Sequence, residues 1–123
     1  MNRARFEAVV EAALREIPEE LREKLRNIEV VVEARPSRAL LEELELDPEV
    51  DSLYGLYQGT PLTERAFDEI ARLPDKISIY QVPLEEDFGD DVEALKREIR
   101  TTVVHEIAHY FGIDDDDLDE MGY

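Results

Sequence analysis

The chain has 123 residues, of which 43% are hydrophobic and 37% are charged, and 32 Asp and Glu against 14 Lys and Arg give a formal net charge of −18. This length suits one domain over residues 1–123 with a real core, and the charge disfavours nucleic acid and anionic membranes as partners. Since there is no cysteine, disulfides and thiolate metal sites are excluded, and His, Asp and Glu are left as metal ligands.

Neither a secretory signal nor a membrane span is predicted. Acidic residues interrupt the N-terminal segment at Glu7, Glu11 and Glu16, so the uninterrupted apolar run of a signal peptide is missing. The longest uncharged apolar runs are far shorter than the ~20 residues that cross a bilayer. We therefore expect a cytoplasmic protein.

The N-terminal third predicts two helices followed by a strand. Apolar residues recur at helical spacing from Phe6 to Ile17, which predicts an amphipathic helix over residues 3–16, and a second short helix is expected over 19–26. The β-branched run IEVVVEA, from Ile28, predicts the first strand.

The middle of the chain predicts two more strands. A helix is expected over residues 37–44, and the alternation in SLYGLYQG, from Ser52, predicts the second strand. A modest helix or turn follows over 63–73. The run ISIYQVP predicts a third strand that Pro83 ends. Together these elements predict an α/β (α+β) fold with a small mixed sheet.

A long C-terminal helix is predicted next. EEDFGDD is expected to form a loop with the N-cap at Asp90 or Asp91, and the apolar residues that follow keep a helical spacing. From residue 101 to 111 the helix becomes largely apolar and should enter the core. Gly112 is expected to end it, because glycine adopts the left-handed conformation that reverses the chain.

The stretch HEIAHYFGIDD, residues 105–115, places titratable side chains in this apolar segment. His105 and His109 are four residues apart, so both imidazoles project from one helical face at a separation that can chelate one cation, most often zinc. A third protein ligand is required. It is expected from the aspartates after the turn, three of which are within reach: Asp114, Asp115 and Asp116.

Glu106 lies beside the two histidines and suits the role of a general base. Three protein ligands leave the fourth position of zinc open for water, as in catalytic sites. The metal lowers the pKa of that water, and Glu106 would take its proton during attack on a carbonyl and pass it to the leaving amine. This residue set predicts peptide hydrolysis.

The stretch matches the zincin motif HExxH and resembles more closely HExxHxxGxxD, a metzincin variant with aspartate in place of the third histidine. With the upstream segment LYGLYQGTPLTER, the chain resembles the small bacterial zincin-like metallopeptidase family. The resemblance implies a minimal zincin-like fold with a C-terminal metal-binding helix and one Zn²⁺ per chain. It implies His105, His109 and Asp115 as ligands, with Glu106 as general base and Gly112 as the turn.

Three functions are compatible with this pattern. The first is a zinc metallopeptidase that acts on a peptide or protein substrate. The second is a non-catalytic protein whose metal stabilises the fold and whose surface binds a protein partner. The third is a metal-dependent hydrolase that acts on another amide. Oligomeric state and substrate sequence stay open.

Overall fold

Three strands form a mixed sheet in the computed structural model, which describes residues 1–49, 52–59 and 75–123. The strands are β1 (Ile28–Glu33), β2 (Gly55–Gln58) and β3 (Asp75–Tyr80), and their order in the sheet is β1-β3-β2. The central strand β3 runs parallel to β1 and antiparallel to β2. The predicted mixed sheet is therefore confirmed, although β2 is shorter than the run SLYGLYQG suggested.

Helices surround this sheet, and the predicted mixed α and β class is confirmed. The described helices are α1 (Arg3–Arg15), α2 (Glu19–Arg22), α3 (Arg38–Glu43), α4 (Gln81–Phe88), α5 (Val92–Phe111) and α6 (Asp115–Glu120), and a 3-10 turn at Glu23–Leu25 follows α2. The helix or turn predicted over 63–73 lies outside the described residues. Across the described ranges, no helix is both long and apolar enough to cross a membrane.

The segment after β3 is helical, where the sequence predicted a strand through Pro83 and then a loop. The strand ends at Tyr80, and residues 81–88 form α4. Pro83 lies in the first turn of α4, where backbone N–H groups have no acceptor within the helix, so the ring is tolerated there. The prediction was wrong because proline is compatible with a helix start as well as with a strand end.

The core lies between the sheet and the pair α1 and α5. Its fully buried side chains include Phe6 and Ala13 from α1, Ile77 and Ile79 from β3, and Leu95, Ile99, Val103 and Ile107 from α5. Outside the core, Glu16 joins α1 to α5: its carboxylate lies 3.1 Å from Lys96 Nζ and 2.8 Å from Arg100 Nη1. The hydrogen bond from Lys96 is the main cause that lowers the pKa of Glu16.

Caps define both ends of α5. The Asp91 carboxylate accepts hydrogen bonds from the backbone N–H groups of Glu93 at 3.0 Å and Ala94 at 3.3 Å. Gly112 follows the last helical residue with φ 72° and ψ 26°, the left-handed conformation expected from the sequence. The 20-residue helix therefore ends just after the HExxH stretch.

Replacing Asp91 by Ala should destabilise the protein by about 1 kcal/mol, because two N–H groups lose their side-chain acceptor. Urea unfolding monitored by circular dichroism measures the change. Asp90→Ala removes the same charge from the neighbouring exposed position and should have a smaller effect. Equal losses for the two variants would contradict a specific capping role for Asp91.

Candidate metal centre

His105, Glu106 and His109 lie in one cleft near the C-terminal end of α5. The cleft has a volume of about 320 Å³. One wall is formed by α5 residues between Glu98 and His109, and the other by residues 52–55, which lead into β2. The fold thus brings the three motif side chains to one cleft. The helical spacing predicted a shared face for the two histidines.

The two histidines are close enough to approach one ion. Their ring centroids are 6.3 Å apart, with the planes at 77° to each other. The ring of His105 is half-buried and its Nε2 lies 3.2 Å from the backbone oxygen of Tyr123, whereas His109 is exposed. When one imidazole nitrogen donates to a carbonyl oxygen, the other is left with its lone pair free, as in metal-bound histidines.

The carboxylate of Glu106 is half-buried between α5 and β2. Burial raises the pKa of Glu106, while His109, a hydrogen bond from the backbone N–H of Tyr57, and His105 act to lower it. A carboxylate with a raised pKa accepts a proton more readily at neutral pH, which is the property a general base requires.

A close contact between β2 and α5 creates this environment. A Cβ atom added at Gly55 would lie 2.8 Å from Thr102 Cγ2 and 3.0 Å from the backbone oxygen of Ser78. The glycine therefore lets the strand lie against the helix. Two residues further on, the ring of Tyr57 stacks on that of Tyr110, with centroids 4.1 Å apart.

The sequence reasoning missed Gly55 and Tyr57 as neighbours of the site. The ring of Tyr57 packs on Tyr110 and does not itself line the cleft. The contribution of Tyr57 to the site is its backbone N–H, which no residue type reveals. The only signal in the sequence was a glycine inside an alternating strand, which often marks a close backbone approach.

The predicted third ligand lies on the adjacent helix. Asp115 is the first residue of α6, and Asp114 is its N-cap, whose carboxylate accepts the N–H of Asp117 at 2.9 Å. The side chain of Asp115 is outside the described part of the structure. Among the side chains that are described, no three His, Asp or Glu groups are arranged to hold a metal. The role of Asp115 therefore stays a prediction.

The donor set itself suits zinc. Two imidazoles on successive helical turns and a carboxylate after the turn are nitrogen and oxygen ligands of the kind that catalytic zinc sites use. The left-handed Gly112 reverses the chain between the two groups of donors. The half-buried Glu106 lies beside the two histidines, where a proton acceptor for such a site would be expected.

A mixed sheet packed on a long helix that carries HExxH defines a zincin-like protein. The family described as zincin-like metallopeptidase matches residues 25–123, and the chain belongs to that family. The structure is similar to that of a conserved hypothetical protein from T. thermophilus, with a TM-score of 0.57 and 24% identity over 90% of this chain and 94% of that chain. At this identity the likeness shows the fold alone. No curated protein matches the chain.

Replacing Glu106 by Gln should stabilise the metal-free protein at neutral pH. Burial raises the pKa of this carboxyl above its ordinary value of 4.5, so ionisation costs more in the folded chain than in the unfolded chain. The amide oxygen of Gln can still accept the N–H of Tyr57. The free energy of unfolding of Glu106→Gln should equal that of the wild type below pH 4.5. It should exceed the wild-type value increasingly as the pH rises through the folded-state pKa of Glu106.

Urea unfolding in the presence of a chelator, repeated across this pH range, measures that difference. Glu120→Gln, at an exposed position in α6, serves as the control and should give no comparable rise. A wild-type protein that gains stability relative to Glu106→Gln with increasing pH would show that burial does not dominate at Glu106.

Proposed function

We propose that the protein is a zinc-dependent metallopeptidase. The observation that carries the proposal is the shared cleft, in which two imidazoles on successive helical turns flank a half-buried carboxylate. Family membership supports the same chemistry, since zincin-like proteins bind zinc in general. A peptide or protein is the proposed substrate.

His105, His109 and Asp115 are the proposed ligands of one Zn²⁺. Two imidazole nitrogens and a carboxylate oxygen satisfy three positions of a tetrahedral site and leave one for water. When bound, zinc would lower the pKa of that water and polarise the substrate carbonyl. The contact of His105 Nε2 with the backbone oxygen of Tyr123 would hold the first ring in a fixed orientation.

Glu106 is the proposed general base and then the general acid. Its carboxylate takes the proton of the attacking water and transfers it to the nitrogen of the departing amine. The backbone N–H of Tyr57 occupies part of the carboxylate and restrains its orientation. A carboxylate accepts through two oxygens, so one contact leaves capacity for the proton.

The wall opposite α5 is suited to an extended substrate. Residues 52–55 border the cleft and lead into β2, which lies at one edge of the described sheet. Extended backbone next to a sheet edge can pair with a peptide through main-chain hydrogen bonds, independently of its side chains. The peptide would then run past the motif residues on α5.

The ligand set predicts that zinc binding depends on Asp115. The purified wild-type protein should contain about one zinc per chain, and His109→Ala and Asp115→Ala should lose most of it, because a site with two remaining protein ligands binds weakly. Elemental analysis after gel filtration measures the content. Asp116→Ala, an exposed neighbour, should keep its zinc. Zinc retained by Asp115→Ala would remove that residue from the ligand set.

Hydrolysis should depend on Glu106 separately from the metal. In the zinc-loaded protein, Glu106→Gln should lower kcat/KM on a quenched-fluorescence peptide library by roughly 10²–10⁴-fold while zinc content is unchanged. Glu120→Gln provides the matched control on α6. A zinc-loaded wild type that cleaves no peptide but loses much thermal stability on chelation would support the structural-metal alternative instead.

A further inference from the structure

Glu98 places a carboxylate in the same cleft. The residue lies on the wall formed by α5 and is half-buried. Within the described ranges its side chain makes no hydrogen bond or ion pair. On the same helix, Lys96 and Arg100 form ion pairs with Glu16. A partly desolvated carboxylate without a counterion is costly unless a ligand compensates it.

The position of Glu98 relative to the motif follows from the helix. Seven residues separate it from His105, which corresponds to about two turns and a rise of about 10 Å. Both side chains therefore lie on the same helical face. Thr101 and Thr102 line the cleft between them, so the space is continuous from Glu98 to the motif.

The opposite wall adds to the negative field at this end of the cleft. The hydroxyl of Tyr54 donates a hydrogen bond to the carboxylate of Asp87, which lies on α4. That hydrogen bond, burial, and then the charges of Asp87 and Glu98 raise the pKa of Tyr54 to about 12. Among the described residues that line the cleft there is no Lys or Arg, so nothing in that lining neutralises these carboxylates.

We propose that the Glu98 end of the cleft is a subsite for an arginine or lysine side chain of the peptide substrate. The inference rests on the proposed peptidase function and adds a preference to it. The long apolar stem of such a side chain can follow the wall of the cleft while its charged end reaches the carboxylate. A carboxylate that accepts from a guanidinium or an ammonium forms a strong, charge-assisted hydrogen bond.

The spacing indicates where the basic residue lies in the substrate. An extended peptide advances about 3.4 Å per residue, so a separation of about 10 Å corresponds to roughly three residues along the substrate. A long side chain can shorten this offset by about one residue. The preference should therefore be confined to a small number of positions on one side of the cleaved bond.

Peptide binding tests this subsite without relying on turnover. Short alanine-serine peptides with one arginine, moved along the peptide, are compared with peptides that carry neutral citrulline at the same place. They are titrated into ¹⁵N-labelled, zinc-loaded Glu106→Gln protein, which prevents cleavage. At the preferred position arginine should lower Kd about fivefold relative to citrulline, an effect typical of a partly exposed charge pair, and added salt should reduce it.

Glu98→Gln should remove the difference between arginine and citrulline, and the amide signals that shift should come from residues 52–55 and 98–102. Glu11→Gln is the matched control, since Glu11 is an exposed position on α1 and its loss changes the net charge equally. This control should keep the full preference. Equal affinities of the two peptides, no binding of either, or a preference that survives in Glu98→Gln would overturn the subsite.

A library digest separates this inference from the proposed function. Cleavage by the wild type without enrichment of arginine or lysine near the cleaved bond would leave the peptidase standing and reject the subsite. Arginine-selective binding that Glu98→Gln abolishes, together with no cleavage of any peptide, would leave the subsite standing and reject the peptidase.

Discussion

The burial of helix α5 against β3 and α1 is the packing on which the rest of the site depends. Leu95, Ile99, Val103 and Ile107 are completely buried and fix how the helix is rotated about its axis. Since successive residues turn by about 100°, the same rotation sets the direction of every other side chain on the helix. Burial of these four side chains thereby orients His105 and His109 towards the cleft. This hydrophobic burial supplies the rigidity that ligand geometry requires.

The contact between β2 and α5 sets the electrostatic environment of the Glu106 carboxylate. Gly55 allows the strand to approach Thr102, and Tyr57 brings its N–H to Glu106 while its ring stacks on Tyr110. The strand excludes water from one side of the Glu106 carboxylate, and the backbone N–H of Tyr57 donates one hydrogen bond to it. Burial outweighs that bond and the neighbouring histidines, so the pKa of Glu106 is raised. The raised basicity of Glu106 thus comes from its contact with a strand that is far away in the chain.

Charge is arranged unequally around α5. The cations Lys96 and Arg100 face Glu16 at the end of α1 and help to hold the two helices together. Glu98 lies on the same helical turns but faces the cleft without a partner in the described structure. With a net charge of −18, attraction of cationic peptides is expected over the whole surface. A half-buried carboxylate near the motif converts that general attraction into a preference at one position.

The sequence by itself determined the elements whose signals are local. The stripe and caps of α5, the β-branched run of β1 and the spacing of His105 and His109 depend on neighbours within a few turns, and the structure agrees with them. Where one local signal has two meanings, as with Pro83, the start of helix α4 was predicted as the end of a strand. The HExxHxxGxxD stretch also indicated the family that the match over residues 25–123 establishes. Only the tertiary structure decided that β2 lies against Glu106 and that Glu98 opens into the same cleft. Both depend on strand order and on a backbone contact between distant segments. Such a contact leaves no signal in the sequence, because a backbone N–H is the same in almost every residue type.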